Sequence, residues 1–280
     1  MTDAIEWRPY DGAPDSTVVG DVRVSDPISV EYLDVERKLL AYLPPGYEES
    51  DRSYPVVYMH DGRNLFDEAA SNDGEWGVDE TMEELADDGI EAIVVGVPNA
   101  GEDRMAEYAP FLDTATLPPD MAEQFPEGEV YGDQYLDFLL ETVKPAVESA
   151  FRTSDDRDET GVAGSSMGGL ISLYAQFREP ETFGFAGVMS PAVTPPFTEI
   201  FEFVESVGHV DARIHVDVGG EEFAEEPAQS EAFEDGARRL ADTLEQMGYD
   251  ENLQFVYEGD AVHHESAWRR RFPEMMRFLL

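Results

Sequence analysis

Cysteine is absent from the 280 residues, which excludes disulfides, thiolate metal sites and a thiol nucleophile together. Nucleophilic chemistry is left to Ser, Thr, Asp, Glu or Lys. Basic residues are scarce: Lys38 and Lys144 are the only lysines, and 18 Lys+Arg face 62 Asp+Glu for a formal net charge of −44. Nucleic acid and anionic membranes are therefore poor partners, because phosphate binding requires clustered Lys and Arg. Long apolar runs are also missing, and no segment approaches the ~20 residues of a membrane-spanning helix. The N-terminal "MTDAIEWRPYDG" lacks a basic stretch followed by an apolar one, so no secretory signal is expected. The expectation is a cytoplasmic chain.

Enough is present to fold. Apolar residues make up 42%, with 16 Phe, 12 Tyr and 3 Trp, sufficient for a sizeable core in spite of the charge. The length suits a single α/β domain over 1–280. Short apolar runs at 54–60, 91–99, 160–165, 184–190, 213–220 and 253–259 read as buried strands. Helical periodicity is clearest at 131–151 and is expected near 78–88, 168–178, 231–247 and 265–280. This alternation predicts a mostly parallel sheet with helices on both faces. Residues 1–35 and the stretch following them alternate in polarity, as antiparallel edge strands do. The Pro-rich segment 109–130 is a candidate lid or mouth wall, a solvated insertion being the alternative, and 191–209 is expected to be a loop lining the pocket.

The stretch "GVAGSSMGGL" (161–170) places Ser166 at the centre of G-x-S-x-G, between a β-rich run and a helical one. A nucleophile elbow is such a strand-to-helix turn, and its crowded backbone admits only small flanking residues such as Ser165. In folds built on that elbow the triad follows the order Ser, acid, His. Of the five histidines, His60 precedes the serine, while His209 and His215 come before or within the strand that should deliver the acid. His263 and His264 remain, after the last predicted strand.

"YLPPGYEESDRSYPVVYMHDGRNLFD", "RMAEYAP", "GSSMGGLISLY", "VDVGGEE" and "HHESAWRRRFPEMMRFL" together resemble the esterase family related to enterochelin esterase and esterase D, in the α/β-hydrolase superfamily. The likeness runs collinearly over residues 36–280. It implies an α/β-hydrolase fold with a mostly parallel central sheet, antiparallel N-terminal strands and helices on both faces. It implies His263 as the base, with His264 where the family has Asn; that residue reads as a polar opening to the last helix, against a direct catalytic role. The family's acid position falls at Glu222, with Glu221 as the alternative, while Asp217 within the strand reads as structural. The oxyanion donors implied are the backbone N–H groups of Met167 and Arg63, Gly62 permitting close approach. Glu265 is read as a support for the loop and Trp268 as packing. Arg104, Glu107 and Tyr108 match the family's R-x-x-E-Y signature and are read as a structural network near the site entrance. His60 and Asp61 are read as turn chemistry and not as metal ligands.

The function expected is a serine carboxylesterase acting on small or medium acyl esters, without cofactor or metal. The alternatives are acyl transfer on the same triad and a non-catalytic binding protein. The oligomeric state is not legible.

Depletion of lysine along the whole chain is read as a solvent property, an adaptation to molar salt, the alternative being a docking surface for a cationic partner. At about 1 M salt the Debye length is only ~3 Å, so self-repulsion is largely screened. Circular dichroism followed from high to low KCl should show loss of structure in dilute buffer; unchanged structure and stability there would remove the halophilic reading.

Overall fold

β-Branched and aromatic residues in short runs leave room for strands, not solitary helices. The computed structural model describes residues 5–119, 121–125 and 128–280. Its strands are β1 (Trp7–Pro9), β2 (Asp21–Ser25), β3 (Ile28–Val30), β4 (Val35–Arg37), β5 (Leu40–Leu43), β6 (Val56–His60), β7 (Ile93–Val97), β8 (Thr160–Ser165), β9 (Phe185–Met189), β10 (Arg213–Gly219) and β11 (Leu253–Glu258). Among the described residues, nine of them form one sheet in the order β1-β2-β5-β7-β6-β8-β9-β10-β11, while β3 and β4 pair separately. The pairs from β7 through β11 are parallel, and β1, β2 and β5 join antiparallel at one side.

The helices are α1 (Val78–Ala86), α2 (Arg104–Glu107), α3 (Gly132–Phe138), α4 (Lys144–Ala150), α5 (Met167–Arg178), α6 (Glu199–Val207), α7 (Pro227–Gln246) and α8 (Glu265–Leu279). The predicted helix over 131–151 is real but composite, because a π-helical turn at Leu139–Val143 joins α3 to α4. Strand alternation sends Val56 and Tyr58 into one core, with Leu139, Leu170, Ile200 and Phe233, and Val57 and Met59 into another, with Val78, Met82, Phe272 and Met276. The sheet is therefore covered on both faces, as a parallel sheet requires.

One expectation is corrected. Residues 199–207, placed within a loop over 191–209, form α6. Glu199 and Glu202 sit in its first turn, Ile200, Phe201 and Val204 supply a buried stripe, and Gly208 with φ 82° ends it. The segment 109–130 is irregular but packed, apart from 120, 126 and 127, which lie outside the described residues, as do 1–4 of the N-terminal edge. Phe111 meets Tyr174 and Phe203 with ring centroids 5.3 and 5.6 Å away, and Phe125 meets Phe197 at 6.0 Å. Among the described residues no helix is long and apolar enough to cross a membrane.

Candidate active site

β8 ends at Ser165 and α5 begins at Met167, which leaves Ser166 as the one residue of the turn. Its backbone sits at φ 58°, ψ −122°, a sparsely populated conformation that costs of order 1–3 kcal/mol and persists only when its surroundings over-determine it. Here they do. The Ser166 N–H donates to the Met189 carbonyl at 3.0 Å, and the Ser166 carbonyl accepts from Leu170 and Ala192 at 3.1 and 3.0 Å. A Cβ on Gly168 would lie 3.3 Å from both the Asp61 carboxylate and His60 Cβ, so a small residue there lets the end of β6 press against the first turn of α5.

Glu222 follows β10 and His263 follows β11, at the same edge of the sheet as the serine. His263 Nδ1 lies 2.6 Å from Glu222 Oε2, and the His263 N–H donates to the Glu222 carbonyl at 2.9 Å. The other carboxylate oxygen accepts from Ser190 Oγ and from the Gly219 N–H, both at 2.6 Å. Ser190 Oγ in turn accepts from Trp268 Nε1 at 3.1 Å and Arg271 Nη2 at 3.0 Å. Phe223 stacks on the His263 ring with centroids 4.9 Å apart, and Phe233 and Trp268 meet it edge-on at 5.2 and 5.0 Å. The imidazole is therefore fixed by packing as well as by its acid partner. Among the described residues no direct hydrogen bond joins the Ser166 hydroxyl to His263; the link between them runs through residues 189–192. Such contacts commonly tighten only when substrate is bound.

The loop after β6 carries Arg63. Asp61 adopts φ 56°, and Gly62 passes so close to β7 that a Cβ would lie 2.5 Å from the Gly96 carbonyl carbon. The Asp61 carboxylate receives Arg104 Nε and Nη2 at 2.6 and 2.8 Å and Asn99 Nδ2 at 2.6 Å. Burial alone would push this carboxyl up, but the bidentate guanidinium and the amide outweigh it and hold it below the usual range. The Asp61 N–H donates to Tyr108 Oη at 3.2 Å, and Asn64 Nδ2 donates to Glu265 at 3.0 Å. Glu107 accepts from the buried Arg37 and from the Ala100 N–H, at 2.9 Å for the latter. The N–H groups of Arg63 and Met167 stand at the starts of helical turns, where donors have no intrahelical acceptor.

Of the residues singled out in the sequence, Glu222 and His263 touch, while Glu221 is exposed and Asp217 is buried against Arg271 at 3.1 Å and the Ser190 N–H at 3.1 Å. His264 opens α8, its Nδ1 accepting from the Ser266 N–H at 3.1 Å. Sequence reasoning missed Ser190, Arg271, Asn64 and Asn99; a polar residue just past a strand end was the available signal for Ser190, after β9, and Asn99, after β7, but not for Arg271 in α8. A cavity of about 850 Å³ lined by Ile28, Tyr32, Phe138 and Pro145 contains none of these groups. Glu75, Asp79 and Glu80 are the side chains grouped closely enough to share a cation among the described residues, and none of them bonds to Ser166, Glu222 or His263.

Residues 30–279 match the family described as "Putative esterase". The chain is 25% identical over 244 residues to the uncharacterized protein YbbA of Bacillus subtilis, covering 87% of this chain and 92% of that one. It is 28% identical over 157 residues to the siderophore enterobactin esterase of Emericella nidulans, covering 52% of this chain and 48% of that one. Among solved structures, an IroE-like serine hydrolase from Shewanella oneidensis superposes with a TM-score of 0.71 at 20% identity, covering 90% of this chain and 78% of that one. The fold is that of the α/β hydrolases.

His60 ends β6, its Nδ1 2.7 Å from Tyr135 Oη, and burial depresses its pKa from 6.5 to about 3. Between these values the unfolded chain binds a proton that the folded chain refuses, so stability is lost as pH falls, at up to ~1.4 kcal/mol per pH unit. Urea unfolding in high KCl between pH 6.5 and about 5 should show this fall in the wild type and a flatter profile in His60→Asn.

Proposed function

The chain belongs to the esterase family that its residues 30–279 match and is a serine hydrolase of carboxylic esters; from that premise we propose that Ser166, His263 and Glu222 act as nucleophile, base and acid in hydrolysing small or medium acyl esters. The observation that carries the reading is the 2.6 Å contact between His263 Nδ1 and Glu222 Oε2. With Nδ1 engaged, the neutral ring presents Nε2 as the basic nitrogen.

Ser166 Oγ attacks the ester carbonyl as its proton passes to His263 Nε2, and Glu222 stabilises the imidazolium that forms. The carbonyl oxygen gains negative charge and is met by the N–H groups of Met167 and Arg63. Each such donor is worth roughly 3 kcal/mol of barrier. Collapse expels the alcohol, which takes the proton from His263, and leaves an acyl-enzyme. Water, deprotonated by the same imidazole, then releases the acid and restores Ser166. The reading needs no cofactor and treats 1–280 as one catalytic domain.

A fluorophosphonate probe at molar KCl should label the wild type and fail to label Ser166→Ala; labelling retained in that variant, or none in the wild type, would refute the assignment. In the same medium, p-nitrophenyl esters of increasing chain length should yield free acid; added alcohol diverting most product into new ester would indicate acyl transfer instead.

Arg104 acts as a positioning residue in this scheme, since it holds Asp61 and thereby the N–H of Arg63. Arg104→Ala should lower kcat about tenfold to a hundredfold, ~1.4 to 2.8 kcal/mol of barrier, with little change in KM, because the donor bonds most strongly in the transition state. Steady-state kinetics check this: a raised KM at unchanged kcat would instead place Arg104 in ground-state binding.

A further inference from the structure

A second set of buried charges lies on the opposite core from α5, at the start of α1, with no role in the chemistry above. Glu75 and Asp79 are 6% and 0% exposed, and one carboxylate oxygen from each, with one from Glu80, lies within 4.8 Å of the others. Most of the oxygens have donors. Glu75 accepts from Thr17 Oγ1 at 2.8 Å and from Arg269 Nη1 at 3.2 Å, Asp79 Oδ2 accepts from the Val19 N–H at 2.7 Å, and Arg269 Nη2 approaches Glu80 Oε1 at 3.3 Å. Two oxygens do not: Asp79 Oδ1 and Glu80 Oε2 are buried and without a hydrogen-bond partner. Buried polar atoms in a folded chain are otherwise nearly always satisfied.

Three carboxylates share one guanidinium in a region where burial makes uncompensated negative charge costly. The N-terminus of α1 offsets part of that charge. A cation supplies both the charge and the missing partner. The donors are all oxygen, which selects a hard ion, and three carboxylates with water completing the shell suit calcium, whose coordination is flexible, better than magnesium, which demands near-ideal octahedral geometry.

We propose that Glu75, Asp79 and Glu80 form a structural calcium site, completed by water, that clamps the N-terminal arm at Thr17–Val19 to α1 and, through Arg269, to α8. Trp76, next to Glu75, packs on Trp268 at 5.6 Å, so the clamp stands behind the indole that donates to Ser190.

The test uses the full chain, stripped with a chelator and titrated calorimetrically with calcium chloride in KCl. Saturable binding of one calcium per chain is expected, with a rise in Tm on binding. Asp79→Asn and Glu80→Gln should each weaken binding about tenfold or more, because ligand charge sets the affinity of such sites. Glu84→Gln, an exposed acid on the same helix, should leave binding unchanged. Two variants are used so that a folding failure of one does not decide the matter. Absence of saturable binding would overturn the proposal and assign the orphan oxygens to a shared proton. Equal weakening in Glu84→Gln, or unchanged affinity in both ligand variants, would overturn it in favour of diffuse surface attraction.

Discussion

A carboxylate with no exposed side-chain surface sits at the centre of this site, and the arrangement around it follows from the need to satisfy that charge. Glu222 is held by Ser190 Oγ, the Gly219 N–H and His263 Nδ1, each at 2.6 Å. An isolated buried carboxylate would take up a proton instead of remaining charged. Here the carboxylate oxygens have their partners, and the same carboxylate orients the imidazole. Because three of the carboxylate's contacts come from three segments, 190, 219 and 263, the acid also locks together the ends of β9, β10 and the loop after β11. Ser166 is tied to the same frame through Met189 and Ala192. Ser166 and His263 are therefore positioned by one rigid patch of backbone.

Ser190 shows how far the support extends. Its hydroxyl donates to Glu222 and accepts from Trp268 and Arg271, while its N–H donates to both the carbonyl and the carboxylate of Asp217. Arg271 is 4% exposed and also reaches Asp217 and Glu258. Removing either partner of such a buried pair leaves an uncompensated charge, a loss of roughly 3–5 kcal/mol. The last helix thus supports the proposed acid–base pair without supplying a group to it. It fixes the Ser190 hydroxyl, which fixes Glu222, which fixes His263.

The sheet was legible from the sequence because its strands are continuous apolar runs, and the elbow because glycines, a serine and a following helix fall at fixed spacing. The acid–base pairing at Glu222 and His263 came from family likeness, and chain order alone could not separate His263 from His264. What escaped were contacts between residues far apart in the chain. Ser190 meets Glu222 across 32 positions and Trp268 across 78, and nothing local in "GVMSPA" encodes either. α6 escaped because the prolines before it read as loop, although Ile200, Phe201 and Val204 already formed a stripe. In both cases the missing information was which strand ends lie side by side, a property of topology.

The chain's scarce cations are unevenly spent. Arg37, Arg104 and Arg271 each pair with carboxylates in the interior, at Glu107, Asp61 and Asp217, while most of the 62 acidic residues face solvent. Screening by salt acts on exposed charges more than a Debye length apart and scarcely on buried, hydrogen-bonded pairs. Salt therefore governs the repulsion between surface carboxylates, which opposes folding, and leaves the local electrostatics of the serine's surroundings almost unchanged. Arginine suits this division better than lysine would, because its planar fork bonds carboxylates bidentately, as at Asp61, and its charge is not lost on burial. The composition and the site thus express one constraint: in a chain this acidic, the few positive charges are most effective where water and salt cannot replace them.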